Sequence, residues 1–323
     1  IIYRPFDLIS ISESGYEQMA DEMHITAHRG VTAVAPENTL PAYEEAVKLG
    51  YYSAECDIKL TSDNKWVLSH SDDIDKHFWQ FGKIAETDFD SLRTYAYKNG
   101  TNFWKYKDLK IPTLEEFLDV FVGSNTRPQI EIKVQNYDML GTVVDAVRAK
   151  GLEKQAIIIS FDIEQLKAIR TIDKNIELWY LVDEITNEKT AEAKALGNTW
   201  LSANFSKNNE DSIRNAADSG VDVSYWTVNT LEDAKMLYDL GVRYIETDKD
   251  HIHYMIETEP TMSISKIVNL MKSYTTYHIW KRYSDYLRKH FWKEHTFWTD
   301  GYFVCSAGNV SEEMLRKYIE NQG

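Results

Sequence analysis

Residues 25–60, ITAHRGVTAVAPENTLPAYEEAVKLGYYSAECDIKL, hold a complete strand–helix–strand unit. Ile25-Thr26-Ala27 is a short apolar run that closes on His28-Arg29-Gly30. Pro36-Glu37-Asn38-Thr39 then opens a helix whose apolar positions recur at helical spacing over 39–49. Gly50 follows, where a left-handed cap favours glycine. The run 52–60 reads as a second strand. Within it Glu55 and Asp57 are two apart and share a face, while Cys56 points the other way into the core.

Outward from this unit the rhythm repeats. Strand patterns appear at 25–30, 52–60, 128–134, 156–161, 176–182, 199–205, 221–228 and 242–247. Helical periodicity fills most of the intervals, at 39–49, 113–122, 137–150, 163–172, 187–196, 208–219 and 230–240. Asn38-Thr39, Pro112-Thr113 with Glu115-Glu116, and Asn229-Thr230 with Glu232-Asp233 are helix starts. Strict alternation predicts a parallel sheet, and eight units predict a closed (β/α)8 TIM barrel over residues 1–248. Residues 71–112 break the rhythm. Their aromatic residues, among them His77, Phe78, Trp79, Phe81, Phe103, Trp104 and Tyr106, predict an insertion on the catalytic face rather than a linker.

The chain has 323 residues, 43% hydrophobic and 27% charged, which is globular composition for one large domain plus an appendage. No apolar run approaches the roughly 20 residues of a membrane helix. Ile1-Ile2-Tyr3-Arg4-Pro5 lacks the layout of a signal peptide, so a cytoplasmic location is expected. Cys56 and Cys305 give no disulfide framework. The net charge of −15 is uneven: residues 1–250 hold 27 Lys and Arg against 43 Asp and Glu, residues 251–323 hold 9 against 8. The acidic body disfavours nucleic acid as a partner. The near-neutral tail carries five of the nine histidines and reads as a different kind of sequence.

Near the carboxyl end of a barrel strand, Glu55 and Asp57 would enter the mouth together. Two carboxylates so close repel unless a cation joins them, and oxygen-only ligands favour Mg²⁺ or Ca²⁺. Glu131 and Lys133 repeat the spacing on the next strand, so Glu131 can complete the metal site and Lys133 can sit on a phosphate oxygen. His28 and His70 each end a strand. One suits a general base and the other a general acid, because imidazole titrates near neutral pH. Arg29 offers a planar fork to a phosphate. Trp226 ends the seventh strand, where it either walls the organic part of a substrate or packs in the core. Together these are the parts of metal-assisted phosphoryl chemistry. A barrel used only for binding would not need the full set.

The motifs TAHRG (26–30), APENTLPAYEEAVKLG (35–50) and ECDIKLTSDNKWVLSH (55–70), followed by IEIK, ISFD, YWTVN and GVRYIETD, resemble the glycerophosphodiester phosphodiesterase family over residues 25–248. The resemblance implies a (β/α)8 barrel with one divalent cation, Ca²⁺ or Mg²⁺. It also implies hydrolysis of a small glycerophosphodiester to glycerol 3-phosphate and an alcohol. On that pattern His28 and His70 are the acid/base pair and Arg29 contacts the phosphate. Glu55, Asp57 and Glu131 hold the metal, and Lys133 and Trp226 line the substrate site. A neighbouring substrate hydroxyl would attack first and give a cyclic phosphate. The family places Asp directly after the second histidine, where this chain has Ser71-Asp72.

From about residue 246 onward the tail resembles the single-tyrosine transposases of the HUH class. His251 and His253 would be two apart on a strand, and Tyr318 and Gln322 four apart on a helix. That pattern implies a metal on His251, His253 and Gln322 and a nucleophilic Tyr318 that cleaves single-stranded DNA. The strand and helix that begin such a domain are missing, so residues 249–323 read as an incomplete α+β appendage. Its helix 261–280 is expected to cover the eighth barrel strand through Ile264, Ile267, Val268 and Met271. The tail is therefore expected to be a catalytically silent remnant that forms no covalent adduct with single-stranded DNA. A metal-dependent, Tyr318-dependent protein–DNA band on a denaturing gel would overturn this.

Overall fold

The computed structural model describes residues 22–248, Met19, and eight helical residues of the tail: Lys266, Asn269, Lys272, Ser273, Thr276, Tyr277, Trp280 and Lys281. His251, His253, Tyr318 and Gln322, and the expected covering face of Ile264, Ile267, Val268 and Met271, lie outside the described residues. The chain divides into two compact units, Ile1–Asp250 and His251–Gly323. No helix among the described residues is long and apolar enough to cross a membrane.

The strands are β1 (His24–Ala27), β2 (Ser53–Leu60), β3 (Trp66–Leu68), β4 (Arg127–Ile132), β5 (Ile157–Ser160), β6 (Glu177–Val182), β7 (Thr199–Asn204), β8 (Val223–Trp226) and β9 (Tyr244–Thr247). All but β3 are parallel and hydrogen-bond to their neighbours in chain order, and β1 pairs with both β2 and β9. That closes an eight-stranded barrel, the TIM fold that the strand–helix alternation predicts. The barrel helices are α1 (Leu40–Leu49), α3 (Leu114–Phe121), α4 (Leu140–Ala149), α5 (Ile163–Ile172), α6 (Asn187–Leu196), α7 (Glu210–Asp218) and α8 (Leu231–Asp239). The short α2 (Phe89–Thr94) belongs to the insertion.

A barrel strand is covered on both faces, and every residue of β2 is buried. Cys56 and Ile58 join the main core with Tyr43 of α1 and Phe117 of α3. The opposite face of β2 carries Glu55 and Asp57 to the carboxyl end of the barrel. The helix starts follow their sequence signals. Thr113 and Glu116 form a reciprocal capping box, and the Thr230 hydroxyl accepts from the Asp233 backbone at 3.0 Å. α1 is the exception: Thr39 caps nothing and instead donates to the Pro36 carbonyl at 2.5 Å.

β3 runs antiparallel beside β2 and is not a barrel strand, so His70 lies two residues past an added hairpin arm. The insertion that follows has its own small core of Val67, Ile74, Phe78, Ile84, Leu92, Tyr97 and Ile111. It clasps the loop after β1. Asn102 Nδ2 and Tyr106 OH both donate to the Val34 carbonyl, at 3.1 and 3.2 Å. The insertion therefore sits on the carboxyl-end face, as its aromatic content predicts.

Gly30 fixes the start of that loop. Its φ is +84°, and a Cβ added there would lie 2.7 Å from the Ala42 Cβ and 2.9 Å from the Ala42 carbonyl carbon. Both the backbone angle and the approach of α1 exclude a side chain. Gly30→Ala is expected to lower stability by about 2 kcal/mol or more in urea denaturation. Wild-type stability would mean that α1 gives way without cost.

Candidate active site

The site forms where β1, β2, β4 and β9 end. Parallel pairing puts Asp57 of β2 opposite Glu131 of β4, and Thr26 of β1 opposite both Ser53 and Glu246. The carboxylates of Glu55, Asp57 and Glu131 consequently converge. One ligand atom from each lies within 4.8 Å of the others, and His28, Glu55 and Glu246 form a second such group that shares Glu55. All four carboxylates are buried.

The loop from His28 to Thr39 wraps this cluster. His28 Nδ1 is hydrogen-bonded to the Asp248 carboxylate, which leaves Nε2 3.7 Å from Glu246 Oε1 and 3.8 Å from Glu55 Oε2. Arg29 takes a left-handed φ of 57°, and its backbone N–H donates to Glu55 Oε2 at 3.0 Å. Its guanidinium reaches Glu37 at 3.2 Å and Asp57 at 3.3 Å. Asn38, also left-handed with φ 55°, donates from Nδ2 to Asp57 Oδ2 at 2.9 Å. Its Oδ1 accepts from the Asp57 backbone at 3.1 Å and from Tyr43 OH at 2.9 Å. Asparagine tolerates this backbone region better than most residues, which lets one side chain grip both ends of Asp57.

Burial makes the charges interact strongly. It pushes the Glu55 carboxyl well above the carboxylate range, and the Asp57 charge adds to the effect. Burial raises Glu131 as well, against the pull of Lys133, and lifts Glu246 to about 7. Burial would raise Asp57 too, but Lys133 and Arg29 outweigh it and keep that group low. For His28, burial alone favours the neutral ring. Glu246, Asp248 and Glu55 overcome it and hold the imidazole at about 10. His70 is shifted down by burial and by the cations Arg29 and Lys133, against Asp57.

The donor set suits a hard divalent cation. Glu55 Oε1 and Glu246 Oε2 are buried without a hydrogen-bond partner, and the converging atoms are carboxylate oxygens with one imidazole nitrogen. Among the described residues this buried acidic and histidine cluster is where a metal can be held.

His28, Arg29, Glu55, Asp57, Glu131 and Lys133 thus come together. Lys133 sits on carboxylates, 2.7 Å from Glu131 and 3.1 Å from Asp57. His70 is exposed and makes its influence felt through Asp57. Trp226 lies on the same rim, half-buried. Its Nε1 donates to the Ser202 carbonyl at 3.1 Å, and its ring meets Phe161 edge-on at 5.8 Å. Sequence reading passed over Glu246, Asp248, Glu37 and Asn38. Glu246 and Asp248 repeat the two-apart spacing of Glu55 and Asp57 at a strand end, and that signal could have found them. Asn38 reads only as a helix-start residue.

Residues 28–251 match the Glycerophosphoryl diester phosphodiesterase family. The chain belongs to that family. A glycerophosphodiester phosphodiesterase of Bacillus subtilis (strain 168) is 25% identical over 275 residues, 77% of this chain and 91% of that one. A probable glycerophosphodiester phosphodiesterase 1 of Mycobacterium tuberculosis is 24% identical over 249 residues, 72% of this chain and 91% of its own length. Among solved structures, a glycerophosphodiester phosphodiesterase from Parabacteroides distasonis superposes with a TM-score of 0.60 at 26% identity, over 70% of this chain and 93% of that one. An Oleispira antarctica phosphodiesterase, solved with its product sn-glycerol-3-phosphate, gives a TM-score of 0.62 at 22% identity over 72% and 95%. Residues 226–322 match a second family, Transposase IS200 like.

Asn38 bonds both the carboxylate and the backbone N–H of Asp57 and so positions that residue. Partners of this kind typically contribute about 10–100-fold to metal affinity or activity. Asn38→Ala is expected to raise the divalent concentration needed for half-maximal activity by about that factor. Full activation at the wild-type metal concentration would remove Asn38 from the site.

Proposed function

We propose that the protein hydrolyses glycerophosphodiesters to glycerol 3-phosphate and an alcohol, with one Ca²⁺ or Mg²⁺ held by Glu55, Asp57 and Glu131. The observation that carries this reading is the convergence of those buried carboxylates with His28, Arg29 and Lys133 at the carboxyl end of the barrel. Family membership and the product named for the Oleispira antarctica structure support the substrate class. When bound, the cation would neutralise charge on the phosphate oxygens.

The residues divide the rest of the work. Arg29 and Lys133 stand within 3.3 Å of Asp57, and their remaining N–H groups can donate to the non-bridging oxygens of a phosphodiester there. His28 is the general acid. Asp248 fixes its ring through Nδ1, and the surrounding carboxylates keep the ring charged, so Nε2 has a proton to give to the leaving alkoxide. His70, whose environment favours the neutral ring, takes the proton of the substrate's vicinal hydroxyl as that oxygen attacks phosphorus. The alcohol leaves and a cyclic phosphate remains. Water then opens the ring with the two histidines in exchanged roles. Trp226 and Phe161 form an aromatic wall for the organic part of the substrate.

The match to Transposase IS200 like supports a second reading, DNA strand cleavage by the tail. Its first part, residues 226–247, runs from the last residue of β8 through α8 and β9, which the barrel uses to close. We therefore propose residues 1–248 as the catalytic domain and 249–323 as a transposase-like piece without strand-cleaving activity.

Release of glycerol 3-phosphate from glycerophosphocholine should vanish with a chelator and return with Ca²⁺ or Mg²⁺. Glu55→Gln should abolish it with little change in fold. A diester lacking the vicinal hydroxyl should react at least about a hundredfold more slowly. Activity that survives chelation and Glu55→Gln sinks the metal site, and equal rates on the deoxy substrate exclude internal attack.

A further inference from the structure

Among the described residues, the insertion carries the three most exposed of the large apolar side chains: Phe81 at 85%, Trp79 at 70% and Trp104 at 67%. These residues are not left out for want of a core. Ile74, Phe78, Ile84, Leu92 and Tyr97 of the same insertion pack together, while Trp79, Phe81 and Trp104 point outward. They sit on two loops, 76–83 and 98–107. The loops are tied to each other: Lys98 N–H donates to the His77 carbonyl at 2.8 Å, Asn99 Nδ2 donates to the Lys76 carbonyl at 2.8 Å, and the Phe78 and Tyr97 rings lie 4.5 Å apart.

Both loops also rest beside the mouth of the barrel. His77 Nε2 is 3.2 Å from Glu37, the partner of Arg29. Gly100 packs so closely on Pro36 that an added Cβ would come within 2.6 Å of it.

Their charge is the second observation. Residues 76–83 and 98–107 contain Lys76, Lys83, Lys98, Lys105 and Lys107 and no Asp or Glu, with Asp75 and Asp108 directly adjoining them, in a chain with 51 acidic residues and a net charge of −15. Lys76, Lys83, Lys105 and Lys107 are exposed. Exposed Trp and Phe interleaved with Lys match the chemistry of a bilayer interface. The rings enter the headgroup region and the ammonium groups meet anionic lipid. A nucleic acid would meet the same lysines, but it offers no apolar layer to a phenylalanine as exposed as Phe81.

We propose that loops 76–83 and 98–107 form a docking surface for an anionic lipid membrane, holding the barrel mouth beside the bilayer. Binding of this kind needs no turnover, so it stands or falls apart from the catalytic reading.

The test is co-sedimentation of the full chain with vesicles of phosphatidylcholine containing about one-third phosphatidylglycerol, beside vesicles of phosphatidylcholine alone. The protein should sediment with the anionic vesicles and stay behind with the neutral ones. Lys105→Gln with Lys107→Gln should weaken binding about 25-fold, at about fivefold per lysine. Trp79→Ser, Phe81→Ser and Trp104→Ser together should weaken it at least about tenfold. Both variants should keep the thermal unfolding midpoint and the turnover of a soluble glycerophosphodiester, since none of these residues touches the carboxylate cluster. No binding to anionic vesicles overturns the proposal. So does binding that both variants retain in full, which would move the contact elsewhere on the chain. A fall in oligomeric mass of the aromatic variant in light scattering, with vesicle binding unchanged, would assign the patch to a second copy of the chain instead.

Discussion

Repulsion among buried carboxylates is the constraint around which the barrel mouth is built. Register alone brings Asp57 beside Glu131, with Glu55 one pleat below and Glu246 across the closing strands. At such depth like charges cannot all ionise without compensation. Lys133 and Arg29 supply part of it, and they hold Asp57 ionised while Glu55, Glu131 and Glu246 are pushed toward their neutral forms. The deficit that remains is one that a divalent cation could satisfy.

The loop after β1 translates that constraint into geometry. Its two left-handed residues, Arg29 and Asn38, each direct a hydrogen bond at a different carboxylate, and Gly30 lets α1 approach closely enough to keep them there. The insertion then bears on the loop from outside. Burial would raise Glu37, but its bonds to His77 and Arg29 bring it down to about 2, so this carboxylate stays charged between the insertion and Arg29. A segment that sequence periodicity marks only as an interruption thus braces Arg29 on one side and presents aromatic side chains to solvent on the other.

The two family matches overlap over residues 226–251. In the structure β9 pairs with β1 along its whole length, from His24 opposite Tyr244 to Ala27 opposite Thr247. Glu246 reaches the carboxylate cluster only through that pairing, and Asp248 reaches His28 just beyond it. Strand β9 is therefore committed to the barrel, because releasing it would open the sheet and remove a carboxylate group from the site.

Several features are local and can be read directly from the chain. Strand and helix periods are local, so the eight alternations, the capping box at Thr113 and the shared face of Glu55 and Asp57 are legible residue by residue. The His28-Arg29 pair and the Glu131-Lys133 pair also show their spacing there. Other features depend on which distant residues meet. That Asp248 would orient His28, that Asn38 would serve Asp57 rather than cap α1, and that Lys133 would lie on two carboxylates all depend on closure of the sheet. Sequence spacing sets which way a side chain faces along its own strand. Only the barrel's register sets what it faces across 19 to 220 residues of chain, and at this site those cross-strand encounters decide where charge is tolerated.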